Sequence, residues 1–199
     1  MTTNLPAAQG APAPAVAATA RHAPWWRLPL ILLAVVAIFV GTYFLAWWDS
    51  RRLTARYMAD ADASFEAGNY LDALAGYEVF DEAANEYVRR GGYGDVERIW
   101  HHPRARPVPA MAAQAAARID EIINTRLTIA EAEQFVQENI GRTNPYMGVV
   151  YLRLGELYEA DGDRRSAEDI YSEIEDLFPG EPELIARANA NLARLQAEE

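Results

Sequence analysis

Residues 151–179 read YLRLGELYEADGDRRSAEDIYSEIEDLFP. Alanine, leucine, glutamate and arginine recur at three-to-four spacing with few β-branched runs, so the stretch predicts helices rather than strands. Tyr151, Leu154, Gly155 and Tyr158 fall on a first helix, Ala167 and Tyr171 on a second, with Gly162 in the turn between them and Pro179 closing the pair. The segment also has an echo in the chain: Gly68, Ala73 and Tyr77 recur as Gly162, Ala167 and Tyr171, each 94 residues later.

This helix–turn–helix resembles the tetratricopeptide repeat, a unit of about 34 residues with the pattern W-x₂-L-G-x₂-Y, then A-x₃-F, then P. Tyr151, Leu154, Gly155, Tyr158, Ala167, Tyr171 and Pro179 match it, with Tyr in place of Trp and of Phe. The earlier copy keeps Tyr57, Ala61, Gly68, Tyr70, Ala73 and Tyr77 but has Asp60 and Ser64 where Leu and Tyr are usual, and Asn85 where Pro is. Its first helix is therefore either a repeat helix or the outward continuation of the apolar segment described below. The resemblance implies an all-α fold, a superhelix of stacked helix pairs whose concave side binds proteins or peptides, and no chemistry.

Units at about 54–87, 114–147 and 148–181 leave a gap at 88–113, which reads as an inserted loop. It contains RRGGYGDVERIWHHPRARPVP, with three glycines and three prolines. In the middle unit Ala115, Ile119, Ile122 and Ile123 share a face of a helix from about Ala110 to Asn124. A capping box, Thr128 with Glu131, opens the next helix, on which Ile129, Ala132, Phe135, Val136 and Ile140 form a stripe. Pro182 opens a last helix to about Ala197, with Leu184, Ile185, Ala188, Leu192 and Leu195 on one face, as a capping helix requires. Tyr151, Tyr158, Tyr171 and Phe178 are expected to pack between helices.

Upstream the text changes character. Residues 1–24 are rich in Ala and Pro with almost no large apolar side chain, and read as a disordered tail. Leu28 to Ala46 is an uncharged run whose length as a helix approaches the ~30 Å bilayer core. Trp25 and Trp26 precede it and Trp47 and Trp48 follow, an aromatic belt that predicts a transmembrane helix over 25–48 in contact with lipid through 28–46. A signal peptide fits less well, because the run exceeds the usual 7–15 apolar residues and no small-residue cleavage site follows. Arg21 and Arg27 on one side nearly balance Arg51, Arg52 and Arg56 on the other. The short N-terminal flank favours a bacterial inner-membrane protein with its tail inside and its large domain, 49–199, extracytoplasmic.

Composition removes whole classes of function. There is no cysteine and no lysine, and the only imidazoles are His22, His101 and His102. Residues 1–48 hold two arginines and no acid, so the net charge of −11 leaves −13 on residues 49–199. That argues against nucleic-acid binding, which needs a basic face. No catalytic, phosphate-binding or metal signature is present, so no enzyme, cofactor or metal is expected. Protein binding remains.

The candidate contacts are of two kinds. In the inserted stretch, Arg98, Trp100, His101, His102, Arg104 and Arg106 form a basic and aromatic group within an acidic domain, either an interface or a loop packed on that acidic surface. On the first helix of the last unit, Arg153 and Glu156 are left free by the packing pattern. The expected function is a non-catalytic, membrane-anchored scaffold, an accessory subunit of a multi-subunit membrane complex such as an electron-transfer complex. The alternative is a translocon-associated or chaperone-like adaptor for exported chains.

Overall fold

A computed structural model describes residues 26–103 and 105–197. The predicted tail and Trp25 lie outside the described residues, as does Arg104. The described chain forms two compact units that divide between Phe44 and Leu45.

The first unit belongs to the long helix α1, Arg27–Glu66. Its N-terminal part has a mean hydropathy of 2.5 over its most apolar window and is not buried at all, and the helix is long and apolar enough to cross a membrane. Thr42 turns its hydroxyl back to the Ile38 carbonyl at 2.9 Å, so this polar group in an apolar helix needs no outside partner.

In the second unit, the remainder of α1 changes its pattern. Trp47, Ser50, Thr54, Met58 and Ala61 are buried or half-buried at helical spacing, while Arg51, Arg52 and Arg56 are exposed. A short α2, Tyr70–Ala75, ends at Gly76, whose φ of 72° lies where a side chain would strain the backbone. An antiparallel hairpin follows, β1 Tyr77–Asp81 and β2 Glu86–Arg90. Then come α3 Tyr93–Trp100, α4 Ala110–Glu121 with a π turn over Ile122–Arg126, and α5 Ile129–Asn139. Helices α6 Met147–Asp161, α7 Arg164–Leu177 and α8 Pro182–Ala197 complete the chain.

The fold is mostly helical, and the hairpin corrects the all-α expectation. The helix expected after Gly68 stops after six residues, because Gly76 releases a run of Tyr, Val and Phe that favours extended backbone. Asp81 Oδ1 accepts from the Ala83 and Ala84 amides at 2.9 and 3.3 Å, and Asn85 takes a φ of 53° to complete the turn. Phe80 and Tyr87 pair across the strands with ring centroids 5.2 Å apart. The gap at 88–113 is likewise no continuous loop. It holds the end of β2, all of α3 and the start of α4, and among the described residues 91–92, 101–103 and 105–109 lie outside helix and strand.

The C-terminal half follows its pattern closely. Ala115, Ile119, Ile122 and Ile123 are all buried. Thr128 accepts from the Glu131 amide at 3.3 Å and Glu131 returns the bond from the Thr128 amide at 2.9 Å, forming the capping box. Ile140 is the exception in its stripe: α5 ends one residue before it, and the side chain is exposed. Leu184, Ala188 and Leu195 of α8 are buried against the preceding pair. Gly155 lets α6 and α7 approach, since a Cβ there would lie 2.6 Å from the buried Tyr171 ring.

Tyrosine hydroxyls tie the elements together. Tyr93 of α3 donates to Asp62 of α1 at 2.5 Å, Tyr146 to Glu97 of α3, and Tyr158 of α6 to Glu133 of α5. Between α6 and α7, Tyr151 donates to Glu173 at 2.5 Å and Tyr171 returns to Glu159 at 2.9 Å. Ionising any of these phenols would set two anions face to face. The Glu133 bond, then burial, pushes Tyr158 up to about 12, and burial first, then the carboxylate, pushes the other four well above the ordinary value. A pKa raised by folding contributes stability that is complete below pH ~10 and is lost as pH rises through the folded values. An alkaline titration followed at the tyrosinate absorbance should therefore show these five tyrosines delayed until the helical signal is lost. Titration of these five near pH 10 with helicity intact would contradict these bonds.

Candidate binding cleft

Helices α4, α6 and α8 and the π turn enclose a cleft of about 350 Å³. Its floor is apolar, made by Ile119 and Ile123 from one side and Val149 from the other, and its rim is charged. Asp120 and Glu156 contribute acids, Arg153 and Arg187 cations, with Asn124 beside them. At one end Tyr146 and Glu97, joined by their hydrogen bond, close the wall.

The charged groups on α6 and α8 are coupled. Arg153 Nη1 donates to Glu156 Oε2 at 3.1 Å, and Arg187 Nη2 donates to Glu156 Oε1 at 3.1 Å. Glu156 is thus held between two guanidinium groups. Arg153 and Glu156 are both about three-quarters buried, their side chains 24% exposed, and Arg153 Nε has no hydrogen-bond partner among the described residues. A buried donor left unmatched costs about 1–3 kcal/mol, which makes this nitrogen the least satisfied polar group of the cleft. With an apolar floor, two cations and three carboxylates counting Glu97, the cleft suits an extended peptide with mixed polar side chains better than a small apolar molecule.

Arg153 and Glu156 are therefore brought together, lining a cleft between α4, α6 and α8. The residues of the inserted stretch are not. Trp100 is 6% exposed and its Nε1 donates to Thr54 Oγ1 at 2.7 Å, which corrects its assignment as a contact residue: a buried indole needs an acceptor, and α1 supplies one. Arg98 is exposed and pairs with Asp95, while His101, His102 and Arg106 are exposed in the 101–109 connection. Of the tryptophans, Trp26 and Trp48 are about half exposed. Trp47 is half-buried and donates through Nε1 to the Pro107 carbonyl at 2.9 Å. Among the described residues no group of three His, Asp or Glu side chains is placed to hold a metal ion.

Glu97, Asp120, Asn124, Tyr146 and Arg187 were not singled out from the sequence. Arg187 had a legible signal, since it lies on the polar face of a helix whose apolar face was recognised. The others lie on α3, on α4 and its π turn, and in the Pro145 turn, and only the fold brings them to one place. Compared with known proteins, the chain matches no family model, no curated protein and no solved structure.

Proposed function

We propose that this chain is a single-pass bacterial inner-membrane protein whose extracytoplasmic, tetratricopeptide-type domain binds partner proteins without chemistry, as an accessory subunit of a multi-subunit membrane complex such as an electron-transfer complex. One observation carries the reading: the cleft runs along α4, α6 and α8, the helices that precede each turn or cap the array, in a chain whose helix α1 carries an apolar stretch that is exposed throughout. In helical repeats that surface is the binding side. The charge of −13 on residues 49–199 fits a protein partner and opposes a nucleic acid.

Purification of the tagged full chain in mild detergent tests it. Membrane subunits should co-elute in fixed stoichiometry, and the double variant Glu156→Ala, Arg187→Ala should weaken their retention about tenfold, as the loss of about 1.4 kcal/mol would. A chain that elutes alone sinks the reading. Crosslinking to a smear of exported chains instead of fixed partners would favour an adaptor of the secretion machinery, and reporter fusions at the two termini decide the side of the membrane.

A further inference from the structure

From Arg98 to Ile119 the chain holds four arginines and two histidines and not one acid, within a region whose net charge is −13. The 101–109 connection lies in this stretch, and one contact fixes its place. Trp47 directly follows the apolar run that ends at Ala46, and its Nε1 bonds the Pro107 carbonyl at 2.9 Å. Indole rings beside an apolar span settle at the headgroup level. Whatever depth Trp47 takes, Pro107 shares it.

The neighbouring groups suit that level. Arg51, one helical turn beyond Trp47, holds its guanidinium 5.6 Å from the Trp47 ring, and Arg106 adjoins Pro107. His101 and His102 are exposed on the same connection. Apolar groups stand among these cations: Val108 is 46% exposed and Trp48 is 48% exposed, surface that a wholly aqueous setting would leave wet. Apolar side chains beside exposed cations match a boundary where acyl chains give way to phosphates.

We propose that residues 101–103 and 105–109, with Trp47 and Arg51, are a docking surface for anionic phospholipid headgroups. It holds an otherwise acidic domain against a negatively charged leaflet. The proposal rests on the membrane-anchored reading above.

The absence of cysteine makes a single-label experiment unambiguous. The full chain carrying Val108→Cys, labelled with an environment-sensitive fluorophore, is reconstituted in phosphatidylcholine vesicles with or without phosphatidylglycerol, each with a lipid spin-labelled at its headgroup. Gly180→Cys, in the turn before α8 and outside the proposed surface, serves as the control. The Val108→Cys label should be quenched more strongly when phosphatidylglycerol is present, and the control should not. Arg51→Gln and Arg106→Gln should each reduce the preference for the anionic lipid by about fivefold. Equal quenching in both bilayers, unchanged by these variants, overturns the proposal. Shielding that grows with protein density and ignores lipid charge also overturns it, assigning the connection to a protein contact. If alkaline carbonate strips the chain from vesicles, the anchored reading fails as well, which separates the two failures.

Discussion

Gly92→Ala is expected to destabilise residues 45–199 by about 3 kcal/mol or more, at the upper end of what overpacking costs. The cause is purely steric. Gly92 has φ −109° and ψ 171°, a conformation open to any residue. A Cβ there, however, would lie 2.3 Å from the Gly76 amide nitrogen and 2.7 Å from the Ala75 carbonyl carbon and Leu74 oxygen, all backbone atoms that cannot rotate away. Chemical denaturation of the full chain in detergent, followed by far-ultraviolet circular dichroism, is the measurement. A midpoint within error of wild type would show that the chain crossing at Gly76 and Gly92 is looser than described.

Asp95→Ala should cost about 3 kcal/mol by the same measurement, with Asp95→Asn intermediate. Asp95 is 3% exposed and serves three donors: the buried Gly92 amide at 3.2 Å, Arg89 at 2.9 Å and Arg98. The two arginines are 42% and 76% exposed, so water screens them and their pairing contributes little. Most of the loss comes from the amide left without an acceptor and from the void beneath the hairpin. Asparagine keeps an acceptor and fills the space. Were alanine and asparagine equally harmless, Asp95 would not organise the hairpin base.

This crossing is also where sequence reasoning met its limit. The glycines of RRGGYG signalled a loop, and they are glycines for another reason: Gly91 faces the Tyr57 ring, Gly92 the Gly76 backbone, and Gly94 the Tyr146 ring. Close approach and loop flexibility leave the same residue in the sequence. Tyr77 matched the repeat pattern at the right offset, yet its neighbours Val79 and Phe80 and the preceding Gly76 decided for a strand. Trp100 carried the composition of an interface, but its acceptor stands 46 residues away, beyond any local pattern. By contrast the Thr128 cap, the left-handed Gly162 at the end of α6 and the extent of α8 are set by neighbours within one or two turns, and all three were legible. The same holds for the cleft. Arg153 and Glu156 lie three residues apart on one helix, whereas Tyr146 meets Glu97 across 49 residues.

The tyrosine-to-carboxylate bonds bear on how the domain comes apart. In a plain helical array each unit touches only its neighbours, so the ends fray before the middle. Here Tyr93 reaches back 31 residues to α1 and Tyr146 reaches 49 to α3, stitching the hairpin and the inserted helix to elements on either side of them. Local opening of one segment breaks bonds in another. Residues 45–199 should therefore lose structure in a single cooperative transition, with amide-exchange protection collapsing together across α1, α3 and α6 rather than receding unit by unit from the C-terminus.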